Sequence, residues 1–412
     1  MSISPTFAGE PLFLGLDFGT SGARISLINS AGAEHFQTGV SFSENIWQEW
    51  QQVLRQLIIA IPADLRHRIA ALAFCGTSGT ALLCDETGQP LLPAILYNDN
   101  RYTQANTSST LAKLLWFLQQ PEARSARYFL HQADWLAFLL HGKPGLSDYC
   151  NSLKLGYDVE KLAYPEEMRN AKYAALLPQV REPGSELGVI TPQAAALFGL
   201  PESCVIRAET TDSIAAFFAS GATEPGMAVT SLGSTLVLKL LSRTRVESPK
   251  HGIYSHRYGN MWLVGGASNC GGKTLEQIFG RERLAALSSQ LNPNQSTNLD
   301  YYPLPAPGER FPINDPALAP RLEPRPNDDA TYLQGLLESL ARIENLGYRL
   351  LEQLGATPLR AILTAGGGAN NAAWTKIRER TIGVTISVAP HTEAAYGAAR
   401  LAMLGEKIFC SP

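Results

Sequence analysis

Cysteine is scarce in this chain and never clustered. The six cysteines among 412 residues, Cys75, Cys84, Cys150, Cys204, Cys270 and Cys410, form no Cys-x-x-Cys pair. They read as buried free thiols in a reducing cytosol, not as a disulfide framework. Neither sign of charge is in excess: 34 Lys and Arg against 37 Asp and Glu leave a formal −3. That removes the electrostatic reason to expect nucleic acid as a partner. Long apolar runs are missing as well, so no segment is expected to span a membrane. The opening MSISPTFAGEP has no positive region followed by an apolar one. A signal peptide is therefore not expected, and the expected location is the cytoplasm. What is present is the composition of a soluble globular protein, 45% hydrophobic and 17% charged, and a length that predicts two domains.

Phe13 to Asp17 and Ala23 to Ile28 read as two strands joined by a glycine turn. Asn45 to Ile61 has helical spacing, with Trp50, Val53, Leu54, Leu57 and Ile58 on one face. Ile69 to Cys75 reads as a buried strand, and Ala81 to Asp85 and Ala94 to Asn98 as strands around the turn Glu86-Thr87-Gly88. Leu111 to His141 reads as mostly helical, ending at His141-Gly142. Tyr164 to Leu200 reads as irregular, and Asn292 to Asn327 as a long surface excursion. Tyr332 to Leu354 has the pattern of a long amphipathic helix, and Ala361 to Leu363 of a buried strand.

One stretch repeats. LDFGTSGARISL and TSLGSTLVLKLL are each strand, Gly-hydroxyl turn, strand, and the turns Gly19-Thr20-Ser21 and Gly233-Ser234-Thr235 coincide. A glycine turn between strands is often only a hairpin. It also exposes backbone N–H groups to a phosphate. Asp17 at the lip of the first turn would repel a phosphate unless a cation stood between them. Magnesium takes oxygen ligands and needs only one or two carboxylates, so Asp17 is a candidate metal ligand. In AETTDSIAAFFASGA, Asp212 precedes an apolar helical run, where it can cap the helix or meet a substrate hydroxyl. In TAGGGANNAAW, a triple glycine after a buried strand gives either a tight turn or room for a flat ligand. In GGASNCGGKT, the Gly-Lys-Thr ending imitates a P-loop. However, Ala267 stands where the first glycine of that motif is required. A P-loop is therefore the minor reading, and glycines such as Gly266 pack beside the nucleotide.

Taken in order, Asp-Phe-Gly-Thr-Ser-Gly, the central Asp, Ser-Leu-Gly-Ser-Thr and Gly-Gly-Gly-Ala-Asn resemble the FGGY carbohydrate kinases. Within them, GTSGTALLCD, QADWLAFLLHG, LKLGYD, TTDSIAAF, SLGST and GGASNCGG look most like the cyanobacterial and plastid branch that acts on D-ribulose. Further support comes from CDETGQPLLPAILYNDNR and TEAAYGAARLA. The resemblance implies an α/β chain of two actin-like (RNase H-like) ATPase domains with a central cleft. It implies a sugar-binding domain over residues 1–219, with 393–412 packing back on it, and a nucleotide-binding domain over 220–392.

By the same resemblance Asp17 would hold magnesium and touch the sugar, Thr20 would sit by the γ-phosphate, and Asp212 would be the general base. Ser78 and Tyr97 would meet the sugar. Gly19, Gly233, Ser234 and Thr235 would meet the phosphates, with Gly266 nearby. Gly367, Gly368, Asn371 and Trp374 would hold the adenosine. Two departures stand out. Ser78-Gly79 replaces the bulky polar pair of many members, and Glu209 replaces a common glycine three residues before the base. Glu209 is expected to face solvent. The expected activity is ATP- and magnesium-dependent phosphorylation of D-ribulose. The alternatives are a kinase for D-xylulose, another ketose or a polyol, and a non-catalytic sugar or nucleotide sensor.

Overall fold

The computed structural model describes residues 9–99 and 109–409. Asn100, Arg101, Cys410 and the opening MSISPTFA, all named above, lie outside them. The described residues divide into two compact units: those up to 219 together with 393–409, and 220–392.

The first unit is built on a mixed sheet. Strands β1 (Leu12–Phe18) and β2 (Gly22–Asn29) form an antiparallel hairpin, β3 (Glu34–Ser41) continues it, and β4 (Ile69–Gly76) lies parallel to β1 on its other side. Strands Val205–Arg207 and Glu186–Val189 complete the order. Every residue of β4 but Ala70 is buried, the near-continuous apolar run expected of a parallel strand covered on both faces. Helix α1 (Trp47–Ala60) buries the five residues its spacing predicts, Trp50, Val53, Leu54, Leu57 and Ile58. The helix Ala394–Leu404 returns to this unit across β1 and β4 at backbone contact. A Cβ on Gly15 would lie 2.0 Å from the Ala395 carbonyl oxygen, and one on Gly397 would lie 1.7 Å from that of Ala215. Gly15 and the Gly397 of TEAAYGAARLA are thus small because nothing larger fits.

The second unit repeats the plan. Strands Met227–Leu232, Leu236–Ser242 and Met261–Ser268 run antiparallel in succession, and Ala361–Ala365 and Thr385–Val388 add on in parallel. The centres of the two sheets correspond: β3-β2-β1-β4 in the first matches Met261–Ser268, Leu236–Ser242, Met227–Leu232 and Ala361–Ala365 in the second, where Tyr254–Tyr258 adds an edge strand beside Met261–Ser268. The two hairpins that echo each other in sequence are the first two strands of each. The long helix Asp329–Gln353 is capped by Asp328, whose carboxylate accepts the Ala330 and Thr331 N–H groups.

Several expectations are corrected. Ala94–Asn98 is not a strand; only Ile95 makes a single bridge, to Ala81. Leu111–His141 holds two helices, Ser109–Phe117 and Gln132–His141, separated by a strand, Tyr128–His131, that pairs with Ala81–Cys84. The stretch 164–200 is more regular than its prolines suggest, because Pro192 is the first residue of helix Pro192–Phe198, a position proline favours. The segment 292–327 is irregular but not merely a surface excursion: Tyr301, Leu304, Glu309 and Phe311 are buried. Among the described residues no helix is long and apolar enough to cross a membrane.

Candidate active site

In the first unit β1, β4 and the two-residue strand Thr210–Thr211 run parallel and adjacent, with Cys75 opposite both Asp17 and Thr210. Their C-terminal ends emerge together, where open α/β sheets present ligand-binding groups. β1 delivers Asp17. β4 runs into the loop Thr77-Ser78-Gly79-Thr80. Thr211 leads into Asp212, the first residue of helix Asp212–Ser220.

Asp17 is mostly enclosed. The Cys75 thiol donates to its Oδ1 at 3.4 Å, a weak partner for a carboxylate. Burial, then the nearby charge of Asp212, push its pKa up to about 7, despite Arg24 pulling it down. Two carboxylates within electrostatic reach of each other favour a cation, so the donor set suits a hard divalent ion. Asp212 Oδ1 accepts the N–H of Ser213 at 2.6 Å.

The loop after β4 is held from beneath by two lysines. Lys113 Nζ donates to the Gly79 carbonyl at 2.7 Å and to that of Leu96 at 2.6 Å, and Lys154 Nζ donates to the Ser78 carbonyl at 3.0 Å. Burial lowers the pKa of both, Lys113 to about 8, while the Asp212 charge partly restores that of Lys154. Thr77 and Thr80 hydroxyls meet at 2.6 Å, and Gly79 has φ 98°, a conformation that favours glycine. Thr80 Oγ1 accepts the Tyr97 N–H, and the Thr20 hydroxyl donates to the Tyr97 hydroxyl at 3.2 Å. The turn Gly19–Ser21 is pinned in turn by Asn45, whose side-chain amide donates to the Thr20 carbonyl at 2.8 Å. Thr20, Tyr97, Thr80 and Thr77 are thereby linked by hydrogen bonds, while Lys154, which holds the Ser78 carbonyl, also lies within electrostatic reach of Asp212.

The second unit holds a cavity of about 710 Å³, within the range of small-molecule sites. Gly233, Ser234, Gly367, Gly368, Asn371 and Trp374 line it, with Leu333 and Leu337 as apolar wall and Arg281 at its edge. A Cβ on Gly367 would meet nothing within 4 Å, so a side chain there would project into the space a ligand needs. Gly368 is small for a different reason: a Cβ would lie 2.5 Å from the Trp374 ring. Asn371 caps the helix Ala372–Ile382 through the Trp374 N–H and also donates to Ser288 Oγ at 2.9 Å. Behind this helix, buried Arg378 donates twice to Glu344 at 2.7 Å and once to Thr364 at 2.8 Å, tying it to the long helix and to strand 361–365.

Two expected nucleotide residues fall elsewhere. Gly266 does not line the cavity; its Cβ position lies 2.5 Å from the Phe311 ring, so it is small to seat that phenylalanine. Thr235 lies against Gly271. The Gly-Lys-Thr segment is structural. The Gly272 and Lys273 N–H groups donate to the carbonyls of Gly233 and Ser234, and the Thr274 hydroxyl donates to that of Pro303. A P-loop would aim those groups at phosphate.

Glu209 does not face solvent. It is wholly buried, beside Asp134 and Asp148. Lys113 and Lys154 were not singled out from the sequence. The one available signal was a lysine on the apolar face of 109–117.

A pair of sheets of this order, one ending in paired carboxylates and the other flanking a nucleotide-sized cavity, defines an actin-like ATPase fold. Residues 228–406 match the C-terminal domain of the FGGY family of carbohydrate kinases. A xylulose kinase of Escherichia coli K12 is 26% identical over 445 residues, covering 95% of this chain and 90% of its own. Two solved structures show the same fold. A "xyloylose kinase" from Brucella ovis has TM-score 0.84 at 23% identity, over 96% of this chain and 90% of that one. A Plasmodium falciparum glycerol kinase with ADP has TM-score 0.82 at 18% identity, over 98% and 91%. By this match, residues 228–406 form a C-terminal domain of the FGGY carbohydrate-kinase type. The chain is an ATP-dependent carbohydrate kinase.

Proposed function

We propose that this chain transfers the ATP γ-phosphate to the terminal hydroxyl of D-ribulose, giving D-ribulose 5-phosphate and ADP. The first unit holds the sugar, through Asp17, Ser78, Tyr97 and Asp212. The second holds the adenosine, through Gly367, Gly368, Asn371 and Trp374. Asp212 takes the proton from the attacking hydroxyl, Gly19 and Thr20 border the transferred phosphate, and Gly233 and Ser234 border the nucleotide phosphates. Asp17 holds magnesium, which when bound supplies charge neutralisation at the phosphates. The observation that carries this reading is the enclosed Asp17, within electrostatic reach of Asp212, at the parallel strand ends.

The choice of sugar rests on the loop Ser78-Gly79. It presents one short hydroxyl and no long donor, which leaves room for an open-chain five-carbon ketose. D-xylulose is the second reading, favoured by the xylulose kinases among the relatives. Purified enzyme given a panel of ketoses and polyols should use D-ribulose best. Ser78→Ala should weaken that use by roughly 5- to 100-fold, the loss of one hydrogen bond in a site of this kind. Clearly better use of D-xylulose or glycerol would withdraw the substrate and leave the kinase.

A further inference from the structure

Beneath the strand ends, three carboxylates meet from distant parts of the chain. Asp134 stands in the first turn of helix Gln132–His141, Asp148 closes strand Leu146–Asp148, and Glu209 lies between strands Val205–Arg207 and Thr210–Thr211. They are 1%, 0% and 0% exposed. One oxygen from each lies within 4.8 Å of the others. Asp148 is held by the N–H groups of Cys150 and Asn151 and by the Asn151 side chain, and Asp134 by His131. Glu209 has nothing: neither oxygen has a hydrogen-bond partner, and Asp134 Oδ1 also lacks one. Among the described residues no lysine or arginine pairs with any of the three.

Natural proteins rarely leave a buried carboxylate with neither partner nor counter-charge. Here one such carboxylate, Glu209, meets two others in a buried space, with an oxygen from each close together. Oxygens within 4.8 Å of one another can share one divalent cation, and a buried site made of protein carboxylates suits calcium better than magnesium, which dehydrates reluctantly and keeps several waters. We infer that Asp134, Asp148 and Glu209 bind a calcium-sized divalent cation. The ion is structural, since no substrate can reach it. It ties Glu209 to two other segments and so fixes the turn that carries Asp212, three residues on.

Elemental analysis of the purified enzyme, dialysed against metal-free buffer, tests this. About one equivalent of calcium per chain is expected in the wild type and in Asp17→Asn, and well under a third of that in Glu209→Gln. Chelation should lower the melting temperature, and calcium alone, not magnesium alone, should restore it. If Glu209→Gln does not fold, terbium titration of the chelated wild type replaces it, with one tight site displaced by calcium expected. Absence of bound metal with a melting temperature indifferent to chelator would overturn the site. So would undiminished calcium in Glu209→Gln, or a Glu209→Gln protein more stable than the parent, which would mean that the carboxyls share protons instead.

Discussion

Replacing Asp17 by asparagine should make the protein more stable and catalytically dead, and the gain should depend on pH in a set direction. Asp17 is a desolvated carboxyl whose pKa rises from the ordinary 3.8 to about 7. The folded state therefore holds this proton more tightly than the unfolded chain. As pH rises from about 4 to about 7 the unfolded chain ionises first, and the folded state loses stability relative to it. At about 1.4 kcal/mol per tenfold difference in proton affinity, the full cost above pH 7 is about 4 kcal/mol. Near pH 5.5 it is about half that, because the folded carboxyl is still protonated. Asparagine keeps the shape and carries no charge. Urea unfolding in magnesium-free buffer, followed by tryptophan fluorescence, should give a variant-minus-parent gap of roughly 4 kcal/mol near pH 8.5 and roughly 2 near pH 5.5. Trp47, Trp50, Trp116 and Trp135 report on this unit. Catalysis in the parent should run the other way, with kcat/KM for magnesium-ATP falling below about pH 7 as Asp17 takes its proton. A variant no more stable than the parent, or a gap that stays flat with pH, would refute the reasoning.

Asp212→Ala should lower kcat by about 10²- to 10⁴-fold, as loss of a general base does, with nucleotide affinity within about twofold by calorimetry. Lys273→Ala should keep most of the wild-type turnover in a coupled ATPase assay, because Lys273 is exposed and its backbone N–H serves the Ser234 carbonyl. Arg378→Met should destabilise the second unit by about 3–5 kcal/mol, leaving Glu344 charged, buried and short of its partner. Adding Glu344→Leu should recover part of that loss in the same urea titration.

What was legible in the sequence was whatever short-range pattern encodes. The hairpin turns at Gly19 and Gly233 announce themselves by glycine and hydroxyls between apolar runs, and α1 by its spacing. Pro192 was misleading because proline both breaks helices and begins them, and only the cap at Thr191 decides between the two. The strand Tyr128–His131 was hidden inside an apolar stretch whose period is that of neither helix nor strand over four residues. Glu209 was beyond local reading altogether. A glutamate in TTDSIAAF-like surroundings is ordinarily wet, and its burial depends on Asp134 and Asp148, which arrive from far earlier in the chain. Lys113 and Lys154 escaped for the same reason, since the carbonyls they hold belong to a loop defined only once β4 is in place.

The return of helix Ala394–Leu404 to β1 has a consequence for how the chain is assembled. The second unit is, in topological terms, an insertion between two parts of the first. On the ribosome, the segment up to Thr392 emerges before the helix that closes the first sheet exists. Until then the face of β1 at Gly15 is uncovered, and its backbone awaits a partner some 380 residues away in the chain. Contacts of such long range are slow to form. The inserted unit, whose strands pair within its own span, can finish first, so the part synthesised first is the part completed last.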